Sequence, residues 1–215
     1  MDRTNLLLIR HGANDWLGAR RLPGWTPGVH LNEEGRAQAA ALARRLAGVP
    51  LAALYSSPLE RALETAQPLA DAHGLAVEVR HGLGDMHAGD WIGRTFDELE
   101  KEELWPAIQF YPSSVRLPGG ESFQGCQARI VADLDTIRRA HAGQTVAVVS
   151  HADPIKMAVA HYLGLPLDLF QRLTIDPASV TALSFRRLGL QLVCLNHSDA
   201  LPAFHAQEQG EDQER

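Results

Sequence analysis

Apolar residues along this chain fall into short, nearly unbroken runs, separated by longer stretches where they recur every three or four positions. The runs at 6–9, 51–55, 76–79 and 145–150 read as strands, and near-continuous hydrophobicity is the mark of strands covered on both faces. Helical spacing marks 32–46, 58–73, 123–141 and 154–163. Asn32 reads as the N-cap of the first helix, with Leu42 and Leu46 on one face. Ser57, Pro58 and Glu60 read as N-cap, first helical position and capping box of the second, with Gly74 as its C-cap. Two further runs, 180–185 and 190–195, predict a closing strand pair. Alternation of strand and helix predicts an α/β fold, a three-layer α/β/α sandwich with a mostly parallel central sheet. Residues 82–120 break the pattern and read as an irregular insertion with one or two short helices, of the kind that lids a pocket. With no internal repeat and no linker, 1–206 reads as one domain, and the polar stretch 207–215 as a disordered tail.

Three of these strands end in residues that carry chemistry. The first runs into Arg10-His11-Gly12, the second into Ser56-Ser57-Pro58-Leu59-Glu60-Arg61, and the fourth into Ser150-His151-Ala152-Asp153-Pro154. Ligands of open α/β sheets bind at the carboxyl edge of the strands. Converging ends would there gather two histidines and two arginines into one anion pocket, with Arg61 in a first helical turn. Guanidinium matches phosphate oxygens, and imidazole is a neutral nucleophile near pH 7.

Composition narrows the setting. Of 215 residues 45% are hydrophobic and 21% charged, which suits one globular domain with a sizeable core. A net charge of −6 argues against nucleic acid and against an anionic membrane as partner, so local positive charge must bind the anion. Cys126 and Cys194 are the two cysteines, too few for a disulfide scaffold. No apolar run approaches the ~18 residues of a membrane span, and the N-terminus lacks a signal-peptide pattern. A cytoplasmic location is expected.

The motifs together resemble the histidine phosphatase superfamily, in its phosphoglycerate mutase-like branch, over residues 6–185. They occur in family order: Arg10-His11-Gly12; Leu31-Asn32-Glu33-Glu34-Gly35; Ser57-Pro58-Leu59-Glu60-Arg61; Gly89-Asp90-Trp91-Ile92-Gly93; Pro118-Gly119-Gly120-Glu121-Ser122; and Ser150-His151. Within the branch, the chain is similar to a bacterial group labelled phosphomutase or phosphatase. The resemblance implies a phosphoglycerate mutase-like fold and a metal-independent phosphatase acting on a small phosphomonoester, with no cofactor. His11 is the expected nucleophile, forming a phosphohistidine that water hydrolyses. Arg10, Arg61 and His151 are the expected charge clamp. The family places a glutamate before its Gly-x-Trp-x-Gly segment as proton donor and acceptor, and this chain has Asp85 there. Aspartate is one methylene shorter, so either the backbone moves inward or a water bridges. His87 and Asp90 are the alternatives. Where the family commonly has Thr or Ser and then Asn, this chain has Asn14 and Leu17; Asn14 still donates a hydrogen bond and Leu17 does not.

Gly24, Trp25 and Ala152 complete the expected substrate contacts, and Arg20, Arg21, Arg94 and Arg116 are candidate rim residues or plain surface charge. Mutases of the family carry a basic, proline-rich insertion, whereas 93–120 is aromatic, which favours hydrolysis. Phosphoglycerate mutase-type transfer and a catalytically weak phosphate-binding module are the alternatives. A small phosphorylated metabolite is the expected partner, with a homodimer as a further candidate.

Overall fold

The computed structural model describes residues 3–198. Six strands form one sheet: β1 (Thr4–Arg10), β2 (Leu51–Ser56), β3 (Val77–Val79), β4 (Thr145–Ser150), β5 (Val180–Arg186) and β6 (Gly189–His197), in the order β3-β2-β4-β1-β5-β6. The first four run parallel; β5 lies antiparallel to β1, and β6 closes a hairpin with β5. The helices are α1 (Asp15–Gly18), α2 (Glu33–Leu46), α3 (Glu60–His73), α4 (Phe96–Leu99), α5 (Trp105–Phe110), α6 (Phe123–Ala140) and α7 (Ala152–Leu163).

Alternation along the strands explains the layers. Leu7, Ile9, Leu54, Ala147 and Val149 face Leu42, Leu46, Ala62 and Leu69 of α2 and α3. Leu6, Leu8, Val146 and Val148 face Ile130, Leu134, Ile155 and Val159 of α6 and α7. The sheet is therefore covered on both sides, as its apolar runs require. A third cluster packs the insertion against the ends of α6 and α7, with Trp91, Leu99, Ile108, Phe123, Met157 and Phe170 at its centre. The insertion thus carries a small core of its own.

Two boundaries differ from the sequence reading. α3 starts at Glu60 with Leu59 as N-cap and no side-chain cap, so the expected capping box does not form. Glu60 accepts from the Gly28 N–H at 3.0 Å, and Ser57 Oγ, while accepting from the Leu59 N–H at 3.3 Å, also meets His151 in the site. α7 starts at Ala152 rather than 154, with His151 itself at the N-cap position. The cap at Asn32 forms as expected, its side chain accepting from the Gly35 N–H. Gly74 ends α3 in the left-handed conformation. The tail at 207–215 lies outside the described residues.

One close approach brings α2 to the site. A Cβ on Gly35 would sit 2.0 Å from the Ala13 carbonyl oxygen, and one on Gly12 would sit 2.7 Å from the Gly35 carbonyl oxygen. Glycine at both positions lets the helix start against the loop that follows β1.

Candidate active site

The site is assembled at the carboxyl edge of the sheet, where the ladder fixes its two histidines. Arg10 pairs with Ser150 across β1 and β4, and the His11 N–H donates to the Ser150 carbonyl at 3.0 Å. The next residue of each strand is a histidine, and their rings lie 5.1 Å apart between centroids. Arg61 enters from the first turn of α3 and is fully buried. Its Nε donates toward His11 Nε2 at 3.4 Å, and its Nη2 reaches the Gly24 carbonyl at 2.8 Å, Asp85 Oδ2 at 3.0 Å and His151 Nδ1 at 3.3 Å.

These contacts decide the tautomers. His11 Nδ1 lies 2.7 Å from the Gly12 carbonyl oxygen, which only accepts. Nδ1 therefore carries the proton, and Nε2 presents its lone pair to the cluster. His151 Nδ1 faces a guanidinium, which only donates, so its proton resides on Nε2 and goes to Ser57 Oγ at 2.8 Å. Burial holds His11 well below the ordinary imidazole range, and the charges of Arg61 and Arg10 push it lower. Burial, then Arg61, His11 and Arg10, do the same to His151. Both rings are thus neutral near pH 7.

Asp85 comes from the turn after the short 3-10 segment His81–Leu83. Its Oδ1 accepts from the Met86 N–H at 2.9 Å, and its Oδ2 lies 3.0 Å from Arg61 and 3.7 Å from His151 Nδ1. The shorter side chain contacts the cluster directly, from a backbone whose carbonyl is held by two side chains. Arg129 of α6 donates from Nη1 to the carbonyls of Gly82 and Gly84 and from Nη2 to that of Asp85, at 2.9–3.0 Å, while pairing with Glu121 at 2.7 Å. The indole N–H of Trp25 donates to the same Asp85 carbonyl at 2.6 Å. Burial raises the Asp85 carboxyl above its ordinary value, with Arg61 opposing.

Sequence reasoning missed Arg129, Glu121 in its pairing role, and Ser57. A helical arginine 44 residues from Asp85 and in no motif has no local signature; three of its partners are backbone carbonyls, which every residue possesses. Ser57 did stand in a motif, but its hydroxyl was assigned to the helix cap.

The remaining expected residues are distributed as follows. Asn14 is buried and caps α1, accepting from the Leu17 N–H at 3.0 Å, so the Leu17 backbone takes part where its side chain does not. Gly24 contributes its carbonyl to Arg61. Trp25 stacks on the His87 ring at 4.3 Å and 9°. Ala152 opens α7 beside His151. His87 and Asp90 are exposed, and neither contacts the cluster in the hydrogen bonds of the described residues. The candidate rim arginines hold the insertion instead: Arg20 pairs with Asp97 and Glu100, Arg94 with Glu102, Arg21 bonds the Gly93 carbonyl, and Arg116 the Gly120 carbonyl.

Among these residues, three buried donors have no hydrogen-bond partner: Arg10 Nε, Asn14 Nδ2 and Arg61 Nη1. Buried unpaired donors each cost about 1–3 kcal/mol. Such a set is stabilised by an anion with several acceptor oxygens. Among the described residues, no three His, Cys, Asp or Glu side chains cluster as metal ligands, and no helix is long and apolar enough to cross a membrane.

Comparison with known proteins gives the same picture. A bifunctional protein of Mycobacterium tuberculosis is 38% identical over 195 residues, covering 89% of this chain and 53% of that protein. The chain thus spans about half the length of the first curated relatives it matches. Phosphoserine phosphatase 1 of Hydrogenobacter thermophilus is 31% identical over 205 residues, 94% of this chain and 96% of that one. The crystal structure of a phosphoserine phosphatase from Entamoeba histolytica in complex with phosphoserine superposes with a TM-score of 0.84 at 26% identity, over 93% of this chain and 100% of that chain. The family model described as histidine phosphatase superfamily (branch 1) matches residues 6–198. On its fold, on that match and on these relatives, the chain belongs to the histidine phosphatase superfamily.

Proposed function

We propose that the chain hydrolyses small phosphomonoesters through a phosphohistidine on His11, with residues 1–206 as one catalytic domain. The observation that carries this reading is the neutral Nε2 lone pair beside Arg61, together with unpaired buried donors on Arg10, Asn14 and Arg61. Nε2 attacks phosphorus as the ester P–O bond breaks, and the leaving oxygen takes the proton of Asp85. A water then attacks the phosphohistidine, returns a proton to Asp85, and phosphate and neutral His11 are released. Arg10, Arg61 and Asn14 hold the phosphoryl oxygens through both steps. Burial first, and then Arg61 and Arg10, keep His151 neutral, and a phosphate dianion offsets the second cause and so favours the protonated, donating ring. The raised Asp85 carboxyl suits a group that must deliver a proton.

Phosphatase names among the relatives support hydrolysis, and the aromatic rather than basic insertion gives no second anion site of the kind mutase transfer needs. The test is labelling by a phosphoryl-radiolabelled ester. The expected label is acid-labile and alkali-stable in the wild type and missing in His11→Ala, with release of inorganic phosphate. Isomerisation of 3-phosphoglycerate without phosphate release would replace this reading by mutase chemistry. Phosphate binding with neither would leave the binding module.

A further inference from the structure

A cavity of about 80 Å³ lies between Asp85 and the insertion. Apolar residues form most of its wall, Trp91, Phe96, Trp105, Ile108 and Phe123 among them, with Asp153, Gln109 and Gln171 as polar lining besides Asp85. A single water needs roughly 10–15 Å³ of such space, so the cavity admits a group of several carbons. Its lining contains two carboxylates and no arginine or lysine. Of the cations next to its carboxylates, Lys156 is paired with Asp153 at 3.4 Å and lies over the Phe170 ring, and Arg61 is paired with Asp85 at 3.0 Å. The arginines of the insertion are bound to its own acids and carbonyls, as described above.

This placement constrains the ester beyond its phosphate. Asp85 must reach the oxygen that leaves, so whatever that oxygen carries begins at the Asp85 side of the phosphoryl group. The cavity that Asp85 helps to line is mostly apolar, with Trp91, Phe96, Trp105 and Phe123 in its wall. Resting on the phosphatase reading above, we infer that the chain selects phosphate esters of uncharged, apolar alcohols, whose hydrocarbon part fills the cavity between Trp91, Trp105 and Phe123. A substrate carboxylate placed there would face Asp153 in a lining without arginine or lysine, the neighbouring Lys156 and Arg61 being already paired with Asp153 and Asp85, and an apolar wall cannot replace its hydration.

The test is a series of primary-alcohol phosphates, ethyl, butyl and hexyl, whose leaving oxygens are chemically alike so that only burial changes. 3-Phosphoglycerate and phosphoserine are assayed beside them. For the wild type, kcat/KM is expected to rise about fourfold per methylene until the cavity is filled. The two charged esters are expected at least tenfold below hexyl phosphate. In Trp105→Ala, the hexyl-to-ethyl ratio is expected to shrink roughly tenfold. Hydrolysis with no dependence on chain length, or with either charged ester ahead of hexyl phosphate, overturns the inference alone. Silence toward every ester, ethyl phosphate included, overturns the phosphatase reading and this inference with it. Should Trp105→Ala fail to fold, the wild-type series decides by itself.

Discussion

The sheet edge and the insertion are built on opposite plans. At the edge, His11, His151 and Arg61 sit at the ends of long regular elements, the histidines after buried strands and Arg61 in a helix packed on the sheet. The insertion has two helices of four and six residues, joined by turns. It is held by a small apolar cluster and by side chains that grip backbone carbonyls, chiefly Arg129 and Trp25. Asp85 lies at the seam, with its carboxylate in the first region and its backbone in the second. The contrast suggests a division of labour: the edge sets which bond is broken, and the insertion sets when the proton arrives and what the leaving group may be.

The sharpest way to break this division is at the nucleophile. His11→Ala is expected to lower kcat at least about a thousandfold with folding intact, read by phosphate release and a thermal melt. Next comes the contact between the edge and α2. Gly35→Ala forces a Cβ to 2.0 Å from a backbone oxygen and is expected to cost about 2–4 kcal/mol in urea unfolding. An unchanged midpoint would show that the junction is loose. At the seam, Arg129→Ala is expected to lower kcat about 10–100-fold with KM changed much less, and Arg129→Lys to recover part of it. An equal change in KM would place Arg129 in substrate binding instead.

A smaller effect separates the two regions by pH. His11 and His151 are neutral when folded and titrate near 6.5 when unfolded, so below about 6.5 the unfolded chain binds more protons. Their contribution is fully present above that pH and is lost as pH falls toward the depressed folded values. Stability is expected to drop by up to about 1.4 kcal/mol per pH unit for each ring, and His151→Asn should remove its share of the slope. The smallest effect belongs to the outer surface of the insertion. Phe110 is 67% exposed, and Phe110→Ser should move stability by less than about 0.5 kcal/mol.

The same division explains what was legible in the sequence. Strands covered on both faces must be apolar throughout, so β1, β2 and β4 announce themselves, and the charged residues that interrupt those runs mark the site. The Asn32 cap and the Gly74 terminus are local signals and could be read locally. The start of α3 could not, because Ser57 and Glu60 have two chemically sensible partners each and tertiary contacts took both. Asp85 was found only by its place in a family pattern, and its reach could not be judged, since that depends on an arginine 44 residues away gripping its carbonyl. The apolar cavity was legible only as an excess of aromatic residues; which of them share a wall depends on how short helices stack.

The pairing of Arg10 with Ser150 has one more consequence. Adjacent strands of any sheet stand about 4.8 Å apart, a spacing imposed by backbone hydrogen bonds and indifferent to side chains. The two histidines follow that pair by one residue each, so their separation is inherited from the peptide backbone rather than negotiated by packing. Substitutions in the core can therefore accumulate, and layers can swell or thin, while the distance on which the chemistry depends stays where the ladder put it. The site is measured by a ruler that drift in sequence cannot easily bend.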